Sequence, residues 1–199
     1  EHWISQGVRS FIFLLYYQAN LIERFIDERR EGLLAGCSVQ SITDPQPLDT
    51  GGAVACAVRH FGLEGEFLVT NADTWLGSGA RELGSVGADA MIVVRQADVS
   101  RYGQVEVDGT GFVHSFREKG ETTGSGWINA GMCALRAEHF TAWNGYRLSL
   151  EKDVFPKLLA ARQLRAVPLE SDFIDIGVPE DYRRFCRWQE RGREGNLCS

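Results

Sequence analysis

The sequence contains no run of lysines or arginines, no long apolar segment and no paired-cysteine motif. Its formal net charge is -6 and its pI is about 5.3, and no basic cluster offers a nucleic acid or an anionic membrane several phosphate contacts. The longest apolar run, residues 11–17, is far shorter than the ~20 residues that cross a bilayer. Because no signal peptide is visible either, we expect a cytoplasmic protein with neither nucleic-acid nor membrane partners.

Several kinds of catalytic centre are also missing. The five cysteines are odd in number and show neither C-x-x-C nor zinc-like spacing, so we expect most of them to be small buried apolar residues in a reducing compartment. No Ser or Cys lies in a G-x-S-x-G elbow, which leaves covalent catalysis without a candidate nucleophile. Thr50-Gly51-Gly52 is not a Walker loop, because no Gly-Lys-Ser/Thr follows it.

What is present is enough for one well-packed core. The 199 residues are 44% apolar and 11% aromatic, which predicts a single domain over residues 1–199. Apolar patterning predicts strands at residues 10–17, 38–43, 67–71 and 90–95, and helices at 20–30 and 53–61. Strand and helix alternate, so we expect an α/β fold, Rossmann-like, with a mostly parallel sheet and helices on both faces.

The pattern changes in the second half of the chain. Residues 102–107 and 112–116 alternate in polarity around Asp108-Gly109-Thr110-Gly111, which predicts a hairpin. A strand at 127–135, a helix at 150–161, an edge strand at 164–169 and a helix beginning at Pro179 follow.

Two stretches organise the rest. Pro47 begins a turn whose paired glycines, Gly51 and Gly52, would let backbone come close to a ligand at the start of a helix. Asp73 follows a short apolar strand, and Asp175 ends another. A lone aspartate after a strand is usually a turn former. Two of them at the ligand-binding edge of one sheet suit a magnesium ion that a nucleotide's phosphates share.

Three further segments each allow two interpretations. Glu118-Lys119 is either a solvated charged turn, or a carboxylate for sugar hydroxyls beside an ammonium group for a phosphate. Tyr102-Gly103 is either a core aromatic beside a bend or a wall for a sugar. The segment from Asn129 to Gly131 is either a strand with a bulge or an amide aimed at sugar hydroxyls.

Taken in chain order, six short motifs resemble the sugar-1-phosphate nucleotidyltransferase family, and together they span nearly the whole chain. They are Leu48-Asp49-Thr50-Gly51-Gly52-Ala53, Asn71-Ala72-Asp73, Tyr102-Gly103, Phe116-Arg117-Glu118-Lys119, Ile128-Asn129-Ala130-Gly131 and the segment 173–182, Phe-Ile-Asp-Ile-Gly-Val-Pro-Glu-Asp-Tyr. Within the family, that last segment and Ser149-Leu150-Glu151-Lys152-Asp153 are most similar to heptose-1-phosphate guanylyltransferases. Mannose-1-phosphate guanylyltransferases and uridylyl or thymidylyl relatives are poorly separated by these residues.

The resemblance implies the nucleotide-diphospho-sugar transferase fold, with a small β-rich sugar-binding part built from residues 102–131, and it implies a reaction. A sugar 1-phosphate, best fitted by D-glycero-D-manno-heptose 1-phosphate, would attack the α-phosphorus of a nucleoside triphosphate, best fitted by GTP, and release pyrophosphate. It also implies roles for individual residues. The nucleotide would contact Leu48, Thr50, Gly51, Gly52 and Asn71; Mg²⁺ would be held by Asp73 and Asp175; the sugar would contact Tyr102, Gly103, Glu118, Asn129 and Gly131; and its phosphate would contact Lys119.

Three departures from the family pattern qualify this expectation. Position 49 is Asp where the family commonly has Gly, which leaves the base preference open, and Ala72 replaces a frequent Gly. The family's N-terminal Gly-x-Gly-Thr-Arg-Leu loop is absent from these residues, so we expect a truncated chain that turns over little as written. The alternatives are a non-catalytic nucleotide-sugar-binding module and a nucleotide-sugar-using glycosyltransferase. The oligomeric state is left open.

Overall fold

The computed structural model describes residues 1–117 and 123–192, which form both helices and strands. The described chain forms two compact units, one of residues 1–66 and 136–157 and the other of residues 67–135 with the chain from 158 onward. The expected single domain stays a prediction. In chain order the elements are α1 (His2–Ser5), β1 (Ser10–Leu15), α2 (Ala19–Asp27), β2 (Ser38–Thr43), α3 (Asp49–Phe61), β3 (Glu66–Thr70), β4 (Thr74–Leu76), α4 (Ala80–Val86), β5 (Ala90–Gln96), β6 (Gln104–Val107), β7 (Val113–Arg117), β8 (Gly126–Arg136), a 3-10 turn (Ala137–Phe140), a π-helical turn (Leu150–Val154), α5 (Phe155–Ala160), β9 (Arg165–Leu169), β10 (Phe173–Asp175) and α6 (Pro179–Glu190).

The first unit contains a parallel strand pair. β1 and β2 run side by side from Ser10 opposite Ser38 to Leu15 opposite Thr43. Helix α3 packs against β1, the 3-10 turn and the π-helical turn. The continuous apolar run at residues 10–17 is typical of a strand that is buried on both faces, and this expectation is wrong for the described chain. Only Leu15 is buried, because β1 pairs with β2 alone among the described strands.

Helix α2 forms where the sequence predicts it, but its apolar stripe is not covered. The helix begins at Ala19 after a left-handed Gln18, so Asn20 lies in the first turn instead of capping it. Ile26 is buried, whereas Leu21 and Phe25 are largely exposed. The Arg29 guanidinium lies over the Phe25 ring at 3.4 Å, which shields part of that ring from water.

The second unit contains a six-stranded mixed sheet with the order β7-β6-β8-β5-β9, in which β3 also pairs with β8. The α/β class is confirmed. The mostly parallel arrangement is not what forms, because β8 runs antiparallel to both β5 and β6, and the predicted hairpin adds the antiparallel pair β6–β7. β5 and β9 remain parallel, with β9 at the sheet edge as predicted.

A second, two-stranded sheet was missed by the sequence analysis. β4 pairs antiparallel with β10, and Phe173 lies opposite Leu76. Three residues are too short to show a strand periodicity, so β4 carried no signal. Trp75 of β4 packs with Phe185 and Trp188 of α6, at ring-centroid distances of 5.4 and 6.0 Å. Helix α6 therefore covers this strand pair.

The described part of the chain contains short helices and free cysteines. None of its helices is both long and apolar enough to span a bilayer. The four cysteines that it contains are free thiols, but only Cys133 is buried, so the expectation that most cysteines are buried is wrong. Cys198 lies outside the described residues.

Asp44, at the end of β2, is a buried carboxylate. It is 6% exposed, and its Oδ1 atom has no hydrogen-bond partner among the described residues. Burial raises its pKa, and a hydrogen bond with the Cys56 thiol of α3 offsets part of that rise. The ionised form of Asp44 therefore lowers the stability of the folded protein.

Replacing Asp44 should stabilise the protein. The pKa is raised on folding, so stability falls as pH rises from the unfolded value of about 3.9 through the higher folded value. Asp44→Asn removes that charge and should raise the free energy of unfolding at pH 7 by about 1 kcal/mol. The gain should disappear below about pH 3, where Asp44 is protonated in both states. Denaturant unfolding at both pH values measures it.

Asp108→Asn is the matched control with the opposite sign. Hydrogen bonds from the Thr110 hydroxyl and from the backbone N–H groups of Phe112 and Thr110 lower the Asp108 pKa to about 2. Its stabilisation is present above the unfolded pKa and is lost as pH falls toward 2, so this variant should be less stable than wild type at pH 7. An Asp44→Asn protein that is also destabilised at pH 7 would contradict the account.

Candidate active site

The pairing of β4 with β10 brings two aspartates together. Asp73 immediately precedes β4 and Asp175 ends β10, with Asp175 opposite Thr74 in the antiparallel register. The Ile176 N–H donates to the Asp73 carbonyl oxygen at 2.8 Å, which extends the pairing by one residue. Two side chains that lie about one hundred residues apart in the sequence therefore lie at one strand end.

Gly177 lies between the two carboxylates. A Cβ atom at this position would come within 3.0 Å of Asp175 Oδ1 and 3.4 Å of Asp73 Oδ2. Those two oxygens therefore lie no farther apart than the sum of the two distances, about 6.4 Å. The Gly177 N–H also donates to Asp175 Oδ1 at 2.9 Å, which fixes the direction of that carboxylate. A side chain at this position would crowd both carboxylates, and at least one of them would have to shift.

This arrangement suits a small divalent cation. Mg²⁺ is usually held by one or two carboxylates, with water and substrate phosphate completing an octahedron at about 2.1 Å. The described residues contain no cluster of three or more His, Cys, Asp or Glu side chains that could form an all-protein metal cage. The pair Asp73 and Asp175 therefore fits an ion that a phosphate substrate shares, and its role as the metal site stays a prediction.

Two of the residues predicted to contact the sugar, Asn129 and Gly131, lie on strand β8. Strand β8 shifts register around a bulge, and Gly131 within it has a φ of 72°. Its N–H donates to the Asn129 side-chain oxygen at 3.0 Å, and its carbonyl accepts from the Asn71 N–H at 2.8 Å. A Cβ on Gly131 would lie 2.9 Å from the Asn71 side-chain amide. The structure thus brings Asn71, Asn129 and Gly131 together, and the bulge reading was correct for the backbone.

Tyr102 lies beside the strand that carries Asp175. Its ring meets that of Phe173 edge-on at a centroid distance of 5.8 Å. Burial raises the Tyr102 pKa, and the nearby Asp175 carboxylate adds to that rise. Gly103 is less constrained, because a Cβ there would have only the Arg117 carbonyl oxygen as a neighbour, at 3.6 Å. The aromatic is therefore partly a core residue, and its use as a sugar wall remains a prediction.

The glycine pair of the first unit lies inside α3, which begins at Asp49 and not near residue 53 as predicted. A Cβ on Gly51 would lie 2.8 Å from the Leu148 carbonyl oxygen, and one on Gly52 would lie 2.9 Å from Leu48 Cβ. The Gly52 N–H donates to the Leu148 carbonyl at 2.9 Å. The close backbone approach expected at this turn is thus made by the chain itself. Thr50 is exposed and Leu48 is buried, and their contacts with a nucleotide stay predictions.

Asp49 has a partner that the sequence analysis missed. Its φ is 59°, the left-handed conformation that glycine adopts most easily. The Arg147 side chain donates Nη2–H to Oδ1 at 2.6 Å and Nε–H to Oδ2 at 3.0 Å, and this pairing lowers the Asp49 pKa. Asp49 stood out as a departure from the family pattern, but nothing in the sequence indicated Arg147.

Two predicted residues cannot be placed. Glu118 and Lys119 lie in segment 118–122, outside the described residues, so their assignment to sugar and phosphate stays a prediction.

An α/β fold in which one aspartate precedes a strand and a second aspartate ends the strand paired with it suits an enzyme that transfers a phosphate-linked group with a divalent cation. The chain belongs to the nucleotidyl transferase family, whose model it matches over residues 1–190. The resemblance carried by the six motifs is therefore confirmed.

Two relatives show which members of the family this chain is similar to. The D-glycero-alpha-D-manno-heptose 1-phosphate guanylyltransferase of Campylobacter jejuni is 30% identical over 190 residues, covering 93% of this chain and 81% of the relative. The mannose-1-phosphate guanylyltransferase catalytic subunit beta of Danio rerio is 30% identical over 189 residues, covering 92% of this chain and 52% of the relative. The chain thus spans about half the length of this mannose-1-phosphate relative.

Solved structures agree with the fold. The HddC protein of Yersinia pseudotuberculosis complexed with GMP-PN superposes with a TM-score of 0.77 at 31% identity, covering 94% of this chain and 81% of that one. The UTP-bound UGPase of Acinetobacter baumannii superposes with a TM-score of 0.70 at 19% identity, covering 98% and 80%, and this match supports the fold alone. The predicted nucleotide-diphospho-sugar transferase fold is confirmed.

Gly51→Ala should destabilise the protein even though Ala is the better helix former. The new Cβ would meet the Leu148 carbonyl oxygen, a backbone atom that cannot turn away. We expect a loss of about 1–3 kcal/mol in the free energy of unfolding. Denaturant titration followed by circular dichroism measures it.

The matched control is another helical glycine, Gly84 of α4, where a Cβ would meet nothing within 4 Å. Gly84→Ala should stabilise by about 0.5–1 kcal/mol through helix propensity alone. Equal effects of the two substitutions would show that Leu148 does not constrain Gly51.

Proposed function

We propose that this protein transfers a nucleoside monophosphate from a nucleoside triphosphate to a sugar 1-phosphate, releasing pyrophosphate. The expected pair is GTP with D-glycero-D-manno-heptose 1-phosphate. The observation that carries the proposal is the convergence of Asp73 and Asp175 at one strand end around Gly177. The names of the relatives supply the direction of the chemistry, since they are sugar-1-phosphate guanylyltransferases.

The proposed reaction needs two anions held close together. A phosphate oxygen of the sugar 1-phosphate attacks the α-phosphorus in line, and the bond to pyrophosphate breaks. Phosphates within a few Å repel strongly at low dielectric, so catalysis consists of positioning and of neutralising the charge that gathers on the α-phosphoryl oxygens. No covalent enzyme species is required.

Each predicted site residue keeps the role that the family resemblance implies. Leu48, Thr50, Gly51 and Gly52 would contact the nucleotide, and the packing of Leu148 on the two glycines would keep their turn rigid. Asn71 is also expected to contact the nucleotide, and Tyr102, Gly103, Asn129 and Gly131 would contact the sugar. Glu118 would add a sugar contact, and Lys119 would neutralise the sugar phosphate.

Magnesium is the cofactor that the carboxylate pair fits. Asp73 and Asp175 would hold it, and the bound ion would polarise phosphoryl oxygens by Lewis acidity. The fixed direction of Asp175, which accepts from the Gly177 N–H, would lower the ordering cost of binding.

The cellular setting is part of the same proposal. The reaction would take place in the cytoplasm, and its nucleotide-sugar product would serve as a precursor of lipopolysaccharide, capsule or S-layer glycan. Self-association to a homo-oligomer is left to measurement. The second candidate reaction is the guanylylation of mannose 1-phosphate, which the Danio rerio relative favours.

Removing either aspartate should abolish turnover. In the natural full-length protein, Asp73→Ala and Asp175→Ala should each lower magnesium-dependent pyrophosphate release by at least about 100-fold, because the ion that neutralises the transferring group loses a ligand. A coupled pyrophosphate assay with four triphosphates and a panel of sugar 1-phosphates measures this.

Asp172→Asn is the matched control, since Asp172 is an exposed carboxylate just before β10 and should leave the rate unchanged. Wild-type rates in both alanine variants would overturn the proposed metal site. An absence of turnover in the wild-type protein with every substrate pair would overturn the proposed reaction and favour a non-catalytic binding module.

Lys119 should act through its charge. Lys119→Met should lower kcat by about 100-fold, because one cation facing the transferring phosphates is lost. Lys119→Arg should keep part of the rate. Steady-state kinetics with each substrate varied in turn measures the effect, and a Met variant with wild-type kcat and KM would return this residue to the solvated-turn interpretation.

A further inference from the structure

Asp181 forms an ion cluster that the proposed roles above do not use. It lies in the first turn of α6, its side chain is 4% exposed, and it contacts two arginines. Arg184 approaches Oδ1 at 3.1 Å, and Arg101 donates Nη2–H to Oδ2 at 2.6 Å. A buried carboxylate is costly without a partner, but one cation would balance its charge. The cluster of one carboxylate and two guanidinium groups therefore carries a net charge of about +1.

Arg101 exposes the excess positive charge of this cluster to solvent. Its side chain is 52% exposed, whereas Asp181 beneath it is buried. The segment that carries it is ordered, because Asp98 accepts from the Ser100 N–H at 2.9 Å and the Tyr102 N–H donates to the Val99 carbonyl at 2.9 Å. Arg101 is thus a half-exposed guanidinium held at its inner end by a buried carboxylate, which lowers the entropy lost when it binds an anion.

Arg101 also lies close to the proposed chemistry. The hydrogen bond that Arg101 donates to Asp181 is the largest cause of its raised pKa, and the negative charge of Asp175 contributes in the same direction. Its neighbour Tyr102 packs on Phe173 of β10, the strand that ends in Asp175. A divalent cation on Asp73 and Asp175 would balance those two carboxylates, so the charge of Arg101 would remain available for a phosphate.

We propose that Arg101 binds the phosphate of the sugar 1-phosphate, and that Asp181 is the positioning residue that holds it there. This inference rests on the proposed function and adds a phosphate contact to the one expected of Lys119. The guanidinium fork suits bidentate recognition of phosphate, which an ammonium group cannot reproduce. The alternative is that the ion pair has a purely structural role and only connects α6 to the segment before β6.

Steady-state kinetics of the full-length protein separates the two. Arg101→Met should raise KM for the sugar 1-phosphate by about 10-fold or more, while KM for the triphosphate stays unchanged. Arg101→Lys should recover part of that affinity. Asp181→Asn keeps the shape but not the charge, and it should raise the same KM by a smaller factor with little change in kcat.

Arg162→Met is the matched control, because Arg162 pairs with Asp108 at 2.9 Å in the same unit and has no proposed role. It should leave every kinetic constant unchanged. A purely structural tie would instead change the constants for both substrates together and lower the melting temperature, with no recovery in Arg101→Lys. That result, or an unchanged sugar-phosphate KM in Arg101→Met, would overturn the proposal.

Calorimetric binding measurements test the role of Arg101 independently of whether the protein catalyses the proposed reaction. Mannose 1-phosphate and pyrophosphate should bind the wild-type protein at least about 10-fold more tightly than Arg101→Met, whereas free mannose should not distinguish the two proteins. If the wild-type protein turns over no substrate pair, the reaction fails, but the same titrations still judge Arg101. Equal binding of both phosphate probes to the two proteins, or no binding to either, would overturn the anion site.

Discussion

The antiparallel pairing of β4 with β10 is the interaction on which the functional account depends. It places Asp73 beside the residue that follows Asp175, and packing of Trp75 against Phe185 and Trp188 holds the pair under α6. Each strand has only three residues, so aromatic packing must contribute much of the stability that backbone hydrogen bonds alone would not supply. The position of the two carboxylates is thus set by a hydrophobic cluster.

The glycines of the family motifs share one physical role, which is to make room for a neighbouring group. Gly51 makes room for the Leu148 backbone, Gly131 for the Asn71 side chain, and Gly177 for two carboxylates. In each case the neighbour belongs to the protein, and in two cases it is a predicted site residue. Close backbone approach, which glycine permits, therefore first positions the protein's own groups, and a ligand would meet a surface that is already arranged.

Local patterns in the sequence were sufficient for most elements. β2 was predicted with its observed bounds, and β5 and α6 nearly so, because period and punctuation act over a few residues. Pairing between distant segments could not be predicted. Arg101 and Asp181 are 80 residues apart and Asp49 and Arg147 are 98 apart, and no local pattern marks such ion pairs. The same limit hid the pairing of β4 and the antiparallel course of β8. The exposed face of α2 shows that an apolar stripe predicts the presence of a helix more reliably than it predicts the burial of that stripe.

The central claim is that Asp73 and Asp175 jointly hold one divalent cation that the nucleotide shares. Crystals of the full-length protein grown with Mn²⁺ and a non-hydrolysable GTP analogue test it most directly, through the anomalous signal of the metal. The account predicts one peak bonded to a carboxylate oxygen of each aspartate, at about 2.1–2.3 Å, and to a phosphate oxygen of the analogue. A metal bound to the analogue with neither aspartate among its ligands would contradict it.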